Sequence, residues 1–287
     1  MMMDPYKNQP KENDVILYPE EMNISSIRLE TILPALQMPT EKAFRISTLN
    51  QHGFMFTKFD PIALRFLESI EARKEQTVFE VGGAYGNVAQ AALESGICAY
   101  YLNDREETHL KLFIQQLERN QKTHLFEALH LIAGCCPEEV KLKHESFDAI
   151  LVNKVLHFCT PENIDAFVQW LYNGLKNGGK VYILTISPFR KGHESLLEDY
   201  EKRKCEGALF PGYCPNYSMT APGQGHDPKA CPLSLLFMEL STLKSLFQAH
   251  GFKIEEEFEL SIINEDAPEW GIGKDMIGII ASRQAMQ

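Results

Sequence analysis

The sequence predicts an α/β fold in which a mostly parallel sheet has helices on both faces. Short runs of β-branched and aromatic residues alternate with longer segments whose apolar residues recur at helical spacing. Glycines stand at the ends of several of these segments, where a helix would stop. A chain of 287 residues can bury a full core, and single α/β domains commonly exceed about 200 residues. We therefore expect one main domain with one active-site cleft.

The clearest strand, turn and helix lie within residues 77–93. Residues 77–81 are a β-branched and aromatic run that predicts a buried strand, and residues 88–93 predict a helix. The turn between them, residues 82–86, reads GGAYG. Its glycines allow positive φ and a close approach of the backbone to a ligand, and the following helix points its free N–H groups at the turn. We expect a bound cofactor there.

The spacing of the glycines disfavours a dinucleotide. The dinucleotide fingerprint requires glycines at its first, third and sixth positions, where this chain has Gly82, Ala84 and Asn87. The chain therefore lacks the glycines that would let the helix pack closely on the strand beneath a pyrophosphate. A nicotinamide-dependent dehydrogenase is the alternative prediction for an enzyme.

Polar residues follow the later predicted strands. Asp104 comes just after the strand predicted at residues 97–102, about twenty residues after the glycine turn, where a carboxylate can accept hydrogen bonds from two ribose hydroxyls. Strands are also predicted at residues 129–132 and 147–152, and the second of these ends at Asn153. The carboxyl ends of parallel strands line the crevice of an open α/β sheet.

The remaining elements follow from apolar spacing and from capping residues. The tail at residues 1–15 is polar and is predicted to be loose. Helices are predicted at residues 25–36, 61–69, 87–95, 108–119, 160–177 and 242–250, with Thr160 and Pro161 opening one, Gly178 and Gly179 ending it, and Ser241 capping the last. Further strands are predicted at residues 181–186, 253–260 and 276–282.

These features together resemble the class I S-adenosylmethionine-dependent methyltransferases. Glu80, two residues before Gly82 and followed by Gly86, resembles the first motif of that family. Residues 146–186 look like its fourth and fifth strands, and the resemblance covers roughly residues 76–187 before it resumes at the C-terminus. It implies a Rossmann-like, seven-stranded, mostly parallel sheet with helices on both faces and a C-terminal antiparallel hairpin. It also implies an enzyme that transfers a methyl group from S-adenosylmethionine and releases S-adenosylhomocysteine.

The resemblance carries a set of cofactor-binding residues, because the family's glycine turn holds the amino acid end of the cofactor and the acid before it supports that end. The residues predicted to bind the cofactor are Glu80, Gly82, Gly83, Ala84, Gly86, Asn103, Asp104, Arg105, Cys135, Cys136, Asn153 and Lys154. Arg105 occupies the position of a residue that often lies against the adenine, where a guanidinium can stack. Cys135 and Cys136 replace an acid that many members use for the adenine amino group. A thiol is a weak acceptor, so backbone groups or another side chain would recognise the adenine.

The methyl acceptor is predicted to bind beneath an insertion at residues 188–232, which has no counterpart of fixed form in the family. Long irregular stretches inside a domain are commonly lids or binding loops, and the tyrosines of this one argue against disorder. The residues predicted to bind the acceptor are Phe54, Phe56, His157, Tyr213 and Tyr217. His157 is also the candidate catalytic base, because an imidazole can take a proton near neutral pH. Residues 1–60 are predicted to form an N-terminal tail and cap helices, and residues 61–287 the methyltransferase domain.

Composition limits the partners. A net charge of -11 disfavours nucleic acid, and no apolar run is long enough to span a membrane. Seven cysteines without the pattern of a secretory signal fit a reducing, cytoplasmic compartment. The cysteine and histidine spacings lack the paired ligands of common zinc sites, so no metal is predicted. We expect O-, N- or S-methylation of a small molecule; the alternatives are methylation of a protein side chain, or a non-catalytic cofactor-binding protein that acts through protein contacts.

Overall fold

The computed structural model describes residues 21–24, 37–221 and 231–284. The tail predicted at residues 1–15 and the helix predicted at residues 25–36 lie outside these residues. In chain order, the helices of four or more residues and the strands are β1 (Arg45–Ser47), β2 (Phe54–Phe56), α1 (Pro61–Ala72), β3 (Thr77–Val81), α2 (Asn87–Glu94), β4 (Ala99–Asp104), α3 (Glu107–Arg119), a 3-10 helix (Thr123–Ala128), β5 (Leu129–Ala133), β6 (Phe147–Asn153), α4 (Ile164–Gly174), β7 (Leu175–Ile186), α5 (Leu197–Cys205), β8 (Tyr213–Cys214), α6 (Tyr217–Thr220), β9 (Leu235–Leu236), α7 (Leu240–Ala249), β10 (Phe252–Ser261), β11 (Gly271–Ile272) and β12 (Met276–Arg283).

An eight-stranded sheet forms the centre of the molecule, in the order β11-β10-β12-β7-β6-β3-β4-β5. Strands β3 to β7 run parallel, and β12, β10 and β11 continue the sheet antiparallel. The predicted mostly parallel sheet with a C-terminal antiparallel hairpin is confirmed. The eighth strand is β11, a two-residue addition at the edge.

The strand order reverses at β3. After β3 the chain moves outwards through β4 and β5, and it then returns to the other side of β3 with β6 and β7. The connections on the two sides leave in opposite directions, which opens a crevice at the carboxyl ends of β3 and β6. The glycine turn follows β3, so the topology places it at this crevice.

Helices cover both faces because the strands are apolar on both sides. Alternate residues of a strand point to opposite faces, and accordingly Val78 belongs to the cluster beneath α1, α2 and α3, whereas Phe79 belongs to the cluster beneath α4 and α7. Phe66 of α1 and Phe113 of α3 are fully buried in the first cluster, and Phe247 of α7 is fully buried in the second.

Three predicted helix boundaries were wrong. The helix predicted from Thr160 begins at Ile164, because Asn163 Oδ1 accepts from the Thr160 N–H at 2.8 Å and closes a separate turn. It ends at Gly174, and the glycines expected to end it lie inside the twelve-residue strand β7. The last predicted helix begins at Leu240, directly after Glu239. Ser241 therefore lies within this helix and does not cap it.

The segments outside the sheet are more ordered than predicted. Strands β1 and β2 pair as a hairpin, so the described residues 37–60 contain no helix of the expected cap. The insertion at residues 188–232 was predicted to be irregular, but it contains α5, β8 and α6, and β8 pairs with β9. Tyr200 and Tyr217 are buried there. Tyr217 and Cys214 belong to the main hydrophobic cluster of the sheet, so this segment packs onto the domain.

Gly86→Ala should destabilise the protein more than Gly178→Ala. Both glycines have positive φ, +70° and +75°, so alanine costs about 1 kcal/mol of backbone strain at either position. A Cβ at residue 86 would also lie 2.5 Å from Phe113 Cδ2, whereas nothing lies within 4 Å at residue 178. We expect Gly86→Ala to lose about 1–3 kcal/mol more, measured by equilibrium urea unfolding. Equal losses would show that Phe113 does not constrain the turn.

Candidate cofactor and acceptor site

A cavity lies at the crevice, between the glycine turn and the segment that contains β2. Its empty volume is about 450 Å³, which includes open solvent at the mouth. The lining residues are Phe54, Met55, Phe56, Lys58, Phe59, Asp60, Ala63, Glu80, Gly82, Gly83, Ala84, Asn87, Val88, Asn153 and Lys154. Six predicted cofactor residues and two predicted acceptor residues are therefore on its wall.

The glycine turn has little space for side chains. Gly82 has φ +65°, and a Cβ there would lie 2.5 Å from the side chain of Val155. A Cβ at Gly83 would lie 2.3 Å from Leu102 Cδ1 and 2.9 Å from Glu80 Cδ. The turn therefore needs glycine at both positions, and its backbone lies open to the cavity.

Glu80 is a buried carboxyl group on the cavity wall. The Tyr100 hydroxyl donates to its Oε2 at 2.6 Å. Burial raises the pKa of Glu80 to about 7, and the hydrogen bond from Tyr100 and the charge of Lys154 oppose that rise. Glu80 can therefore change its charge near neutral pH, and a cationic group in the cavity would favour its ionised form.

A second buried acid, Asp60, holds the opposite wall. It caps α1 by accepting from the Ala63 N–H at 2.9 Å, and its other oxygen accepts from Asn153 Nδ2 at 2.9 Å and from Lys154 Nζ. Burial alone would raise the pKa of Asp60, but the charge and hydrogen bond of Lys154 outweigh it and hold the pKa below its ordinary value. Asp60 was not predicted as a site residue. An Asp-Pro step before an apolar helix indicates a cap, but it does not show that the cap faces a cleft.

Asp104 is the last residue of β4 and is buried, not exposed in a loop. One oxygen accepts from the Ala84 N–H of the glycine turn at 2.9 Å. The other accepts from the Glu106 N–H at 2.9 Å and from His109 Nδ1 at 3.1 Å. A carboxylate has about four acceptor positions, so these three donors leave it one for a ligand.

The other predicted adenosine-side residues lie beyond the turn and do not line the cavity. Asn103 is buried and donates to the carbonyls of Ile132 and Gly134, each at 3.0 Å. Cys136 Sγ donates to Asn103 Oδ1 at 3.3 Å. Arg105 and Cys135 are exposed, and Gly86 packs against Phe113. These residues are close to Asp104 in the fold, and their cofactor role stays a prediction.

The predicted acceptor residues fall into separate places. Phe54 is about half exposed, and both it and Phe56 line the cavity. Tyr213 is paired in β8, and the hydroxyl of the buried Tyr217 lies 2.8 Å from His193 Nε2. Neither tyrosine lines the cavity.

His157 is buried, with Nδ1 3.4 Å from Thr185 Oγ1. Burial, and then the charges of Arg190 and Lys154, lower the pKa of His157 to about 3. The imidazole is therefore neutral at physiological pH, and a proton taken up there would be disfavoured. The electrostatics of the site thus oppose the role of catalytic base.

The described residues offer neither a metal site nor a membrane-spanning helix. Within the described ranges, no three His, Cys, Asp or Glu side chains are grouped so that they could hold a metal ion. No helix in the part of the chain that the structure describes is long and apolar enough to cross a membrane.

Comparison with known proteins supports one family. Residues 79–183 match the family model of a methyltransferase domain. No curated protein matches the chain in a sequence comparison. A methyltransferase structure from Methanosarcina mazei has a TM-score of 0.55 at 15% identity, with 80% of this chain and 100% of that chain covered. One from Mesorhizobium loti has a TM-score of 0.51 at 13% identity, with coverage of 77% and 98%. Both are named S-adenosylmethionine-dependent, and at these identities they show the fold.

The matched residues include the end of β3, the glycine turn and β6, which carries Asn153 of the cavity wall. Residues 79–183 thus match a methyltransferase domain, and the sheet with its antiparallel hairpin has the fold of the S-adenosylmethionine-dependent methyltransferases named above.

Proposed function

We propose that the enzyme methylates a small molecule at an oxygen, nitrogen or sulfur atom. The observation that carries this proposal is the cover over the glycine turn, formed by the hairpin of β1 and β2. Tyr85 of the turn donates to the Ser47 carbonyl at 3.0 Å, and Asn87 Nδ2 donates to the Phe56 carbonyl at 2.9 Å. The Leu49 N–H donates to His109 Nε2 at 3.2 Å. A cavity covered in this way suits a small acceptor better than a polypeptide.

The residues on the cavity wall fit the amino acid end of the cofactor. The backbone of Gly82 and Gly83 can approach it closely, and Glu80 offers a carboxylate for its amino group. Asp104 would accept one ribose hydroxyl with its remaining acceptor position while it holds the turn. When bound, S-adenosylmethionine supplies a methyl group on a cationic sulfonium. The protein residues would then orient the acceptor and exclude water.

We propose that residues 37–60 cover the cofactor and that the insertion at residues 188–232 forms the neighbouring wall, as part of one methyltransferase domain at residues 61–287. His157 would serve as a neutral, buried part of that wall. With a neutral His157, an acceptor that must lose a proton would lose it to solvent or to another group.

Glu80→Gln should remove a pH dependence of cofactor binding. Because its pKa is about 7, the Glu80 carboxyl is mostly protonated at lower pH and gains its charge as pH rises. A cationic amino group favours the charged form, so S-adenosylhomocysteine should bind more tightly as pH rises from about 6 to about 8, with release of up to about one proton. Calorimetry in two buffers of different ionisation enthalpy measures both the affinity and the proton release.

Two variants test the assignment of that proton. Tyr100→Phe removes a hydrogen bond that lowers the pKa of Glu80, so the midpoint of the pH profile should move to higher pH. Glu75→Gln alters an exposed side chain and should keep the wild-type profile. A wild-type profile in Glu80→Gln would exclude Glu80 as the partner of the amino group.

Asp104→Asn should weaken both the fold and cofactor binding, because an amide can accept through only one of its two ends. We expect a loss of about 1–3 kcal/mol in the free energy of unfolding and about a tenfold weaker affinity for S-adenosylhomocysteine. The matched control is Asp148→Asn. Asp148 accepts from the Thr77 N–H at 2.9 Å and from Lys176 Nζ at 2.7 Å, near the amino end of β3 and away from the cavity. If both variants bind S-adenosylhomocysteine equally well, Asp104 does not contact the ribose.

The acceptor class can be tested by following the methyl group. Purified enzyme with methyl-tritiated S-adenosylmethionine and a cell extract should place label in the dialysable fraction. Boiled enzyme and an excess of S-adenosylhomocysteine are the blanks. Label retained on protein would favour side-chain methylation and contradict the proposal. Cofactor binding without any labelled product would instead favour the non-catalytic alternative.

A further inference from the structure

Lys154 brings a mostly buried ammonium group to the cavity that Glu80 also lines, and its side chain is 15% exposed. It directly follows β6 and has a φ of +65°, a left-handed conformation that residues other than glycine rarely adopt. Its N–H donates to the Leu184 carbonyl of β7 at 2.8 Å, which fixes this backbone. Non-glycine residues held in this conformation cluster at functional sites. The conformation thus suggests that the placement of this ammonium group serves the cavity.

The ammonium group of Lys154 is held by two hydrogen bonds and two aromatic rings. Its Nζ donates to the Asp60 carboxylate and, at 2.9 Å, to Asn153 Oδ1. It also lies 5.1 Å from the ring centroid of Phe56 and 5.4 Å from that of Trp270. The faces of aromatic rings attract cations over such distances. The position of Nζ is therefore set before any ligand binds.

Two N–H groups on this wall have no acceptor in the described part of the chain. An ammonium group has three N–H groups, and Lys154 Nζ has two hydrogen-bond acceptors among the described residues. Asn153 Nδ2 carries two N–H groups and donates to Asp60 at 2.9 Å, so its second N–H is also left for a ligand. Both residues line the cavity. A pair of neighbouring donors, one of them charged, matches the two oxygens of a carboxylate.

Asp60 leaves these donors available to an anion. Its buried carboxylate accepts from the Ala63 N–H at 2.9 Å as well as from Asn153 and Lys154. The charge of Lys154 balances that of Asp60. An anion that enters the cavity therefore meets a neutral pair with unused N–H groups.

Lys58 is the other cation on the cavity wall. Its Nζ donates to the Pro268 carbonyl at 2.7 Å and pairs with Glu269 at 2.9 Å, and neither partner lines the cavity. Glu269 is exposed, so solvent and salt screen this pair. Of the two cations, Lys154 is therefore the better placed to bind an anion in the cavity.

We propose that Lys154 and Asn153 bind the carboxylate of the cofactor's amino acid end, while Glu80 binds its ammonium group. This inference rests on the proposed cofactor site and names the group by which that site selects its ligand. The amino acid end carries one positive and one negative charge, and the cavity wall offers a carboxyl group and an ammonium group to match them. Adenosine derivatives that lack the carboxylate, such as decarboxylated S-adenosylmethionine, would therefore bind poorly.

The test compares two ligands in each variant, S-adenosylhomocysteine and its decarboxylated analogue, in which hydrogen replaces the carboxylate. Both carry the ammonium, thioether and adenosine groups, so the ratio of their affinities reports the carboxylate alone and cancels any loss of folded protein. Titration calorimetry with the wild type should show S-adenosylhomocysteine binding at least about tenfold more tightly. Lys154→Met should lower that ratio to about one to three. Asn153→Leu should lower it less, because it removes an uncharged donor.

Lys154→Met leaves the buried Asp60 without its cation, which can prevent folding. The double variant with Lys154→Met and Asp60→Asn removes both charges together and should show the same low ratio. Lys176→Met is the matched control, because Lys176 pairs with Asp148 at 2.7 Å and neither residue lines the cavity. It should keep the wild-type ratio.

The proposal is overturned if the double variant keeps the wild-type ratio, or if the wild type binds the two ligands equally well. A ratio that is lost in Lys58→Met and kept in Lys154→Met would assign the carboxylate to Lys58 instead. A wild-type enzyme that does not bind S-adenosylhomocysteine at all would refute the cofactor site itself. Tight binding with a ratio that Lys154 does not affect would refute only the assignment of the carboxylate.

Discussion

The buried carboxylate of Asp104 links the three parts of the site. It accepts from the glycine turn at Ala84, from the start of α3 at Glu106 and from the ring of His109. Because Nε2 of that ring accepts from the Leu49 N–H, Nδ1 carries the proton and donates to Asp104. The hairpin, α3 and the turn are therefore joined through one side chain. Its loss would release the cofactor turn and the cover together.

The charged groups of the cavity lie on different walls. Glu80 stands on the side of the glycine turn, and burial keeps it neutral until a cation or a rise in pH ionises it. Asp60 and Lys154 neutralise each other at the opposite wall. The guanidinium carbon of Arg45 lies 5.1 Å from the centroid of the Phe56 ring, behind the cavity wall. A cation is thus favoured near Glu80, so electrostatics can help to orient a cationic ligand in the cavity.

The sheet and the turn could be predicted because their sequence signals are local. β-branched runs, the glycines at residues 82 and 83, and the apolar spacing of α3 each depend on neighbours along the chain. The candidate site, in contrast, depends on contacts between residues that are distant in sequence, which local patterns do not predict. The hydrogen bond between Asp60 and Asn153 joins residues 93 positions apart, and nothing near either one indicates the other. The structure within residues 188–232 was not predicted for a related reason. Turn-forming residues dominate its sequence, and the buried contact between His193 and Tyr217 joins residues that are 24 positions apart.

The hydrogen bonds that hold the hairpin over the glycine turn limit how a ligand can enter and leave the cavity. Tyr85 belongs to the glycine turn, and its hydroxyl donates a hydrogen bond to the Ser47 carbonyl of the hairpin. The hairpin therefore cannot lift without breaking the bonds to Tyr85, Asn87 and His109. A cofactor bound at the proposed site would therefore leave past the half-exposed Phe54, or only after these three bonds had opened together.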